Sequence, residues 1–240
     1  MLKKVLVLLS AAQKIELQEG TYHPTGYHLT ELTDVLKEIQ EDGYRIEVAT
    51  PMGQTPVIDP ISKRNLSPDQ LRIAYTIIDT IPTMNLPLQL DTLCEEKLMA
   101  YSGLFIPGGH GPLVDLNHNV HVKHILEHFH YHQKPTATLC HGPAALLSAT
   151  NDEHWLYEDY TMTCFPKAAD KNIEDTILSG HLKYYLNEEL VGQGATLEAP
   201  SQMGTPHTVV DRELITGQDP YASKQLGGQF LKALNHYLAS

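Results

Sequence analysis

The apolar residues of the first fifty positions follow the pattern of a strand, then of a helix, and then of a strand again. Residues 3–9 are apolar on both faces, which is typical of a strand in the middle of a parallel sheet. From Thr30 to Glu41 the apolar residues recur every three or four positions, which predicts an amphipathic helix that ends before Gly43. Residues 44–50 (YRIEVAT) again predict a strand. A strand, a helix and a strand in so short a stretch indicate parallel strands.

The same rhythm returns after residue 100. We predict strands at 103–106, 136–140 and 160–165, helices at 120–132, 142–149 and 181–191, a hairpin around 208–216 and a last helix at 222–238. The pattern predicts an α/β three-layer sandwich, a mostly parallel sheet with helices on both faces. At about 150 residues per domain, the chain fits one large domain, which we assign to residues 1–240.

Residues 51–100 interrupt this rhythm. Five prolines lie between Pro51 and Pro82, and Pro87 follows, so only one longer helix fits, from Asp69 to about Asp79. The segment is too long for an ordinary loop. We therefore expect an inserted cap or lid over one end of the sheet, where such segments often shape a ligand site.

Composition narrows the class of protein. The 29 acidic and 17 basic residues give a net charge of −12, which argues against a nucleic-acid partner. No apolar run approaches the 18 or so residues of a membrane span, and the five apolar residues 5–9 are too few for a signal peptide. Cys94, Cys140 and Cys164 are far apart and include no CxxC pair. This spacing favours a reduced, cytoplasmic protein without disulfides.

The segment TATLCHGPAALLSA carries the strongest local indication of chemistry. It places Cys140 at the end of a predicted strand and at the start of a predicted helix, where Gly142 permits a tight turn. A helix N-terminus and the adjacent His141 would favour a thiolate. The alternative is a structural cysteine buried in a core strand.

A second motif, FIPGGHG, ends another predicted strand. Open α/β sheets place their ligands at this end of the strands. Gly108 and Gly109 free the backbone to present N–H groups to an oxyanion. A simple glycine turn explains Gly108, but it explains the whole PGGHG string less well.

Together, FIPGGHGPLVDL, TLCHGPAAL and FPKAADK resemble the ThiJ/PfpI superfamily, a relative of the class I glutamine amidotransferases. Within it the sequence is most similar to the chaperone and glyoxalase III group. The similarity continues through TGYHLTEL, EVATPMG, GHLKYYLNEEL and ELITGQDPYAS, and covers most of the chain outside residues 54–95.

The resemblance implies a set of site residues. The nucleophile falls on Cys140, its histidine on His141, the acidic partner on Asp170 and the glutamate beside the cysteine on Glu31. The oxyanion and substrate-binding set falls on Gly109, His110 and His141, with the backbones of Gly109 and His141 as the oxyanion donors. Taken alone, Glu31 is equally explained as a first-turn helix charge and Asp170 as a helix cap.

Several features depart from the family pattern. The group's metal positions fall on Glu38 and Arg45, so we predict no metal site. No histidine after Cys140 has a glutamate two residues on, which argues against glutamine hydrolysis. The bacterial chaperone of the group carries an N-terminal extension before the first strand, whereas the strand here starts at once, so the resemblance is a weaker basis for chaperone activity than for the enzyme activity.

The resemblance implies a glyoxalase III-type lyase that converts methylglyoxal to lactate through a cysteine hemithioacetal, without glutathione or any cofactor. Repair of early glycation adducts would use the same thiol chemistry. We expect a homodimer acting on a small 2-oxoaldehyde, and no membrane partner. Two alternatives stay open: a holdase chaperone or redox sensor of the stress response, and an intracellular cysteine peptidase or amidase. The sequence does not decide whether His141 or Glu31 moves the substrate proton.

Histidines form a further pattern on the helix predicted at 120–132. His121, His124, His128 and His132 fall on one face, next to the apolar face. We interpret this stripe as a solvated helix surface, because no nearby carboxylate or thiolate is evident in the sequence. We expect it to bind zinc or nickel only weakly, without a role in catalysis.

Overall fold

The computed structural model describes residues 3–150, 154–200 and 204–239. Its strands are β1 (Lys4–Leu8), β2 (Lys14–Glu16), β3 (Tyr22–Pro24), β4 (Arg45–Thr50), β5 (Leu88–Gln89), β6 (Gly103–Ile106), β7 (Thr136–Leu139), β8 (Thr161–Met162), β9 (Thr196–Leu197), β10 (Thr208–Asp211) and β11 (Leu214–Gly217). Its α-helices are α1 (Leu29–Glu41), α2 (Pro68–Asp79), α3 (Glu95–Leu98), α4 (Pro112–Asp115), α5 (Val120–Tyr131), α6 (Lys167–Ile173), α7 (Leu186–Gly192) and α8 (Ser223–Ala239).

Among the described residues, seven strands form the central sheet in the order β10-β11-β7-β6-β1-β4-β5. Neighbouring strands are parallel except for the hairpin of β10 and β11. Two small pairs, β2 with β3 and β8 with β9, lie outside this sheet.

The sheet separates two hydrophobic layers because successive side chains of a strand point to opposite faces. Val5 and Val7 of β1 belong to the layer formed with α1 and α8. Leu6 and Leu8 belong to the other layer, formed with α5 and α7. Helices therefore cover both faces of a mostly parallel sheet, and the predicted three-layer α/β sandwich is confirmed. None of the described helices has the length and apolar content that crossing a lipid bilayer requires.

Three predicted elements differ from the structure. The strand predicted at 160–165 is shortened to the two residues of β8. Beyond it the N–H of Thr163 donates to the Thr216 hydroxyl and the N–H of Phe165 donates to the Cys140 carbonyl, so neither continues the pairing with β9. The helix predicted from His181 begins at Leu186, because the N–H groups of His181 and Leu182 donate to glutamate side chains instead. Residues 142–148 form a 3-10 helix rather than an α-helix.

The segment 51–100 contains α2, β5, α3 and several short 3-10 helices. The predicted helix is present as α2, where Ser67 and Gln70 form a reciprocal capping box before the first turn. Strand β5 pairs in parallel with the end of β4 and becomes the edge of the main sheet. The hairpin of β2 and β3 was not predicted. The assignment of one domain with an inserted cap stays a prediction.

The ring of Phe230 on α8 provides a direct test of the packing of α8 on the sheet. The ring is fully buried, lies 6.3 Å from the Phe105 ring, and faces Gly103, where a Cβ atom would come within 3.1 Å of it. We expect Phe230→Ala to lower the free energy of unfolding by about 3–5 kcal/mol, because it leaves a cavity. Urea unfolding measures this change. The exposed Lys232 on the same helix is the control, and equal losses for Phe230→Ala and Lys232→Ala would contradict the described packing.

Candidate active site

Cys140 lies at the carboxyl end of β7, in the centre of the sheet. Its backbone has φ 62°, a left-handed conformation that is unusual for a residue other than glycine. Its N–H donates to the Gly217 carbonyl and its carbonyl accepts from the Phe165 N–H, both at 2.9 Å. A Cβ at Gly142 would lie 2.4 Å from the Ile106 carbonyl oxygen, so the tight turn that follows Cys140 requires glycine.

The side chains of Cys140, His141 and Asp170 form a continuous array. The Sγ of Cys140 lies 3.5 Å from Nδ1 of His141, and Nε2 of His141 lies 3.0 Å from Oδ1 of Asp170. Asp170 is held in the first turn of α6, and all three residues are buried. A nucleophile, a base and a carboxylate that orients the base are thus in contact, as nucleophilic catalysis requires.

Burial and charge act in opposite directions on the two partners of this hydrogen bond. Burial lowers the pKa of His141, although the Asp170 carboxylate opposes the shift. Burial also acts to raise the pKa of Asp170, but the His141 and His110 imidazoles outweigh it and hold this pKa well below its usual range. Asp170 therefore stays ionised and stabilises a proton on His141.

Glu31 lies in the first turn of α1 and is fully buried beside Cys140. Its Oε2 accepts a hydrogen bond of 2.8 Å from the N–H of Gly108, and its carboxyl group lies beside the Cys140 thiol. Burial raises the pKa of Glu31 to about 8. At neutral pH the group is protonated, and its O–H is a potential donor to sulfur.

The thiol of Cys140 differs from the sequence-based expectation. We expected a lowered pKa at a helix N-terminus, but burial raises the pKa of this thiol, and the nearby Glu31 and Asp170 carboxylates raise it further. The backbone N–H of Gly109 acts in the opposite direction. The following segment is a 3-10 helix of seven residues, not an α-helix. These surroundings oppose a free thiolate, and Nδ1 of His141 lies 3.5 Å from the sulfur, within reach of its proton.

Gly109 and His110 follow β6 and approach the same point. Gly109 has φ +87°, and a Cβ there would lie 2.3 Å from the Gly26 carbonyl oxygen. The buried His110 ring lies 4.6 Å from the ring of His141. Its Nε2 is 3.6 Å from Oδ1 of Asp170, longer than a hydrogen bond. The structure thus brings all six predicted site residues together, and places the His110 side chain beside the Asp170 carboxylate.

A cavity of about 360 Å³ opens over Cys140, Gly109, His110 and His141. Sequence reasoning did not identify most of its other lining residues, which lie on the segment 51–100 and on loops after β8 and β11: Asp59, Ile61, Ser62, Asn65, Leu66, Phe165 and Tyr221. Only the expectation that residues 51–100 cover one end of the sheet pointed towards them. The volume falls in the range of about 300–1,000 Å³ that is typical of small-molecule sites.

The histidine stripe on α5 differs from the solvated face that we expected. His121 and His124 are exposed, but His128 is buried. Glu95 of α3 supplies the carboxylate that the sequence did not reveal, with Oε1 at 2.7 Å from Nδ1 of His128 and 3.1 Å from Nε2 of His132. Glu95, His128 and His132 form one of two groups with metal-ligand spacing among the described residues, and His110, His141 and Asp170 form the other.

Curated relatives cover nearly the whole chain. The "Protein/nucleic acid deglycase HchA" of Pseudomonas aeruginosa (strain LESB58) is 31% identical over 240 residues, which is 97% of this chain and 81% of the relative. The protein of the same name from Staphylococcus aureus (strain bovine RF122 / ET3-1) is 32% identical over 230 residues, 93% of this chain and 77% of the relative.

Solved structures share the fold at lower identity. The Rapid Encystment Protein of 24 kDa from Francisella tularensis superposes with a TM-score of 0.81 at 20% identity, over 98% of this chain and 99% of the other. Glyoxalase III from Candida albicans superposes with a TM-score of 0.78 at 21% identity, over 96% of each chain. At these identities the likeness shows the fold alone. The model of the DJ-1/PfpI family matches residues 22–233, and the chain belongs to that family.

Proposed function

We propose that the protein is a glyoxalase III-type enzyme that converts methylglyoxal to lactate without glutathione, and that it also removes early glycation adducts. The observation that carries the proposal is that Cys140 lines the cavity, in contact with His141 and beside the buried Glu31. The names of the curated relatives support the deglycase part, because those proteins are described as protein and nucleic acid deglycases.

The first step is formation of a hemithioacetal. Nδ1 of His141 takes the proton of the Cys140 thiol while Sγ bonds to the aldehyde carbon, and the aldehyde oxygen becomes an oxyanion. Asp170 accepts the Nε2–H of His141 at 3.0 Å and stabilises the imidazolium that forms. The backbone N–H groups of Gly109 and His141 are the proposed donors to the oxyanion.

The second step is an internal oxidation and reduction. The aldehyde carbon loses its proton to a base, and the neighbouring carbonyl carbon receives one through an enediol. The first carbon is thereby oxidised to a thioester and the second is reduced to an alcohol, so no external oxidant or cofactor is needed. The His141 imidazolium first returns its proton to the oxyanion, which completes the hemithioacetal and leaves a neutral imidazole. We assign the base to His141, because it lines the cavity, whereas Glu31 has no exposed surface.

Glu31 has a different proposed role. A protonated carboxyl group beside Cys140 donates a hydrogen bond to the thiolate and avoids the repulsion that a carboxylate would add. Its pKa of about 8 keeps the proton in place at neutral pH. Hydrolysis of the lactoyl thioester by water then returns Cys140 as a thiol and releases lactate.

The cavity also bears on the range of substrates. Its 360 Å³ exceeds what a three-carbon aldehyde fills, so an adduct carried on a thiol or amine also fits. A cavity of this size does not by itself exclude a peptidase or amidase. Assays of lactate formation and of peptide hydrolysis distinguish these activities. The net charge of −12 favours small or protein-borne adducts over nucleic acid as the substrate of this chain.

A glutathione-free lactate assay tests the proposal. We expect the wild type to form lactate from methylglyoxal, and Cys140→Ala to lose on the order of 10⁴-fold or more, because the covalent step is gone. Cys94→Ala is the matched control, since Cys94 is an exposed thiol far from the array in sequence. Lactate formation by Cys140→Ala at the wild-type rate would refute the proposal.

Asp170 provides a second test. We expect Asp170→Asn to reduce kcat by about 10³–10⁴-fold, because the amide neither orients His141 correctly nor stabilises its protonated form. Steady-state kinetics and circular dichroism are measured together, with the exposed Asp175→Asn as the control. Near-normal turnover of a folded Asp170→Asn protein would remove Asp170 from the mechanism.

The pH dependence tests the role of Glu31. Because burial raises its pKa to about 8, the group is protonated below that pH and becomes a repelling carboxylate above it. We expect kcat/KM of the wild type to fall as the pH rises through about 8, and Glu31→Gln to lack this decline because an amide does not ionise. Glu41→Gln, at an exposed position of the same helix, should retain it. If kcat/KM of Glu31→Gln declined with pH as that of the wild type does, the decline would belong to another group.

A further inference from the structure

Asp170 lies between two imidazoles, of which the proposed mechanism uses only one. Its Oδ1 is 3.0 Å from Nε2 of His141 and 3.6 Å from Nε2 of His110. All three ligand atoms lie within 4.8 Å of one another. Two imidazole nitrogens and a carboxylate oxygen at this spacing match three corners of a tetrahedral metal site, in which the ligands are about 2.0–2.2 Å from the ion.

The Nε2 atom of His110 is the second observation. His110 is 96% buried, and within the described part of the chain this nitrogen has no hydrogen-bond partner. A buried polar atom without a partner is costly and calls for an explanation. His110 and His141 both line the 360 Å³ cavity, so an ion from solution has a path to these atoms.

The surroundings also suit an ion bound at Nε2 of His141. Metal-ligating histidines usually donate their other ring N–H to a neighbouring acceptor. Here the other nitrogen, Nδ1, lies 3.5 Å from Sγ of Cys140. With Nε2 on an ion, Nδ1–H donates to the sulfur, which stays outside the set of ligands.

We propose that His110, His141 and Asp170 also form a binding site for a divalent transition-metal ion such as Zn²⁺ or Co²⁺, and that this ion reversibly inhibits the enzyme. Imidazole and carboxylate ligands suit these ions. The bound ion replaces the hydrogen bond between His141 and Asp170 and occupies the nitrogen through which Asp170 orients the base. The inhibitory part rests on the proposed function, whereas binding of the ion does not.

The other group with ligand spacing is less suited to a metal ion. Nζ of Lys134 lies 2.9 Å from Nε2 of His128 and 3.1 Å from the Leu98 carbonyl oxygen. The neutral imidazole accepts from this ammonium, so its proton is on Nδ1, where it donates to Glu95 at 2.7 Å. An ion on Nδ1 would shift the ring proton of His128 to Nε2, where the Lys134 ammonium stands in place of the usual outer acceptor. His132→Ala therefore provides a control histidine variant at an exposed position.

Titration of the metal-free protein with Co²⁺, followed by absorption spectroscopy, tests the site independently of activity. We expect visible d–d bands for one ion per chain, without the intense sulfur-to-cobalt charge-transfer band that a thiolate ligand produces. The spectrum should persist in Cys140→Ala and in His132→Ala. The affinity for Co²⁺ should fall about 10–100-fold or more in His110→Asn, because loss of a direct ligand costs at least as much as loss of an outer-sphere partner.

Three results would overturn the proposal. A charge-transfer band that disappears in Cys140→Ala would make Cys140 a ligand. Loss of binding in His132→Ala would place the ion on α5. A folded wild type without d–d bands would mean that no such site exists. Wild type, Cys140→Ala and His132→Ala decide these points even if His110→Asn does not fold. In the lactate assay, Zn²⁺ should abolish turnover and a chelator should restore it, and full activity with the site occupied would refute inhibition.

Discussion

The left-handed backbone of Cys140 is the constraint on which the site depends. With φ 62°, the chain turns sharply at the end of β7, and the thiol faces His141, Glu31 and Gly109 instead of continuing along the strand. Hydrogen bonds to Gly217 and Phe165 on both sides hold this conformation. A strained residue held by its surroundings is typical of functional sites. The parallel sheet supplies these surroundings, because the carboxyl ends of β6, β7 and β11 meet at one edge.

The same sheet edge gives two carboxyl groups opposite properties. Glu31 is enclosed on α1 with a single N–H donor from Gly108 at its Oε2, and burial raises its pKa to about 8. Asp170 is equally buried, but two imidazoles keep it ionised. Environments that shift the pKa values of two acids in opposite directions suit the two acids to different roles. Glu31 is suited to donate a hydrogen bond to sulfur, and Asp170 to stabilise a charged histidine.

The fold was largely predictable because hydrophobic periodicity records which faces are buried. The apolar run at β1 and the helical pattern of α1 were found within one or two residues. Irregular segments were not, because side chains such as Glu19 and Glu174 compete for the backbone near residue 181. Motifs pointed to Cys140, His141, Asp170 and Glu31. They did not reveal the contact of Glu95 with His128, or the cavity residues on the segment 51–100, because those contacts join distant parts of the chain without a local pattern.

The central claim is that Cys140 carries the substrate through the internal oxidation and reduction. Its most direct measurement is rapid acid quenching of the wild type during turnover of methylglyoxal, followed by peptide mass spectrometry and treatment with hydroxylamine. The account predicts one substrate unit on the peptide that contains Cys140, released by hydroxylamine as lactohydroxamate, because a thioester reacts in this way and a hemithioacetal does not. Lactate formation without such a thioester, or with the adduct on another residue, would contradict it.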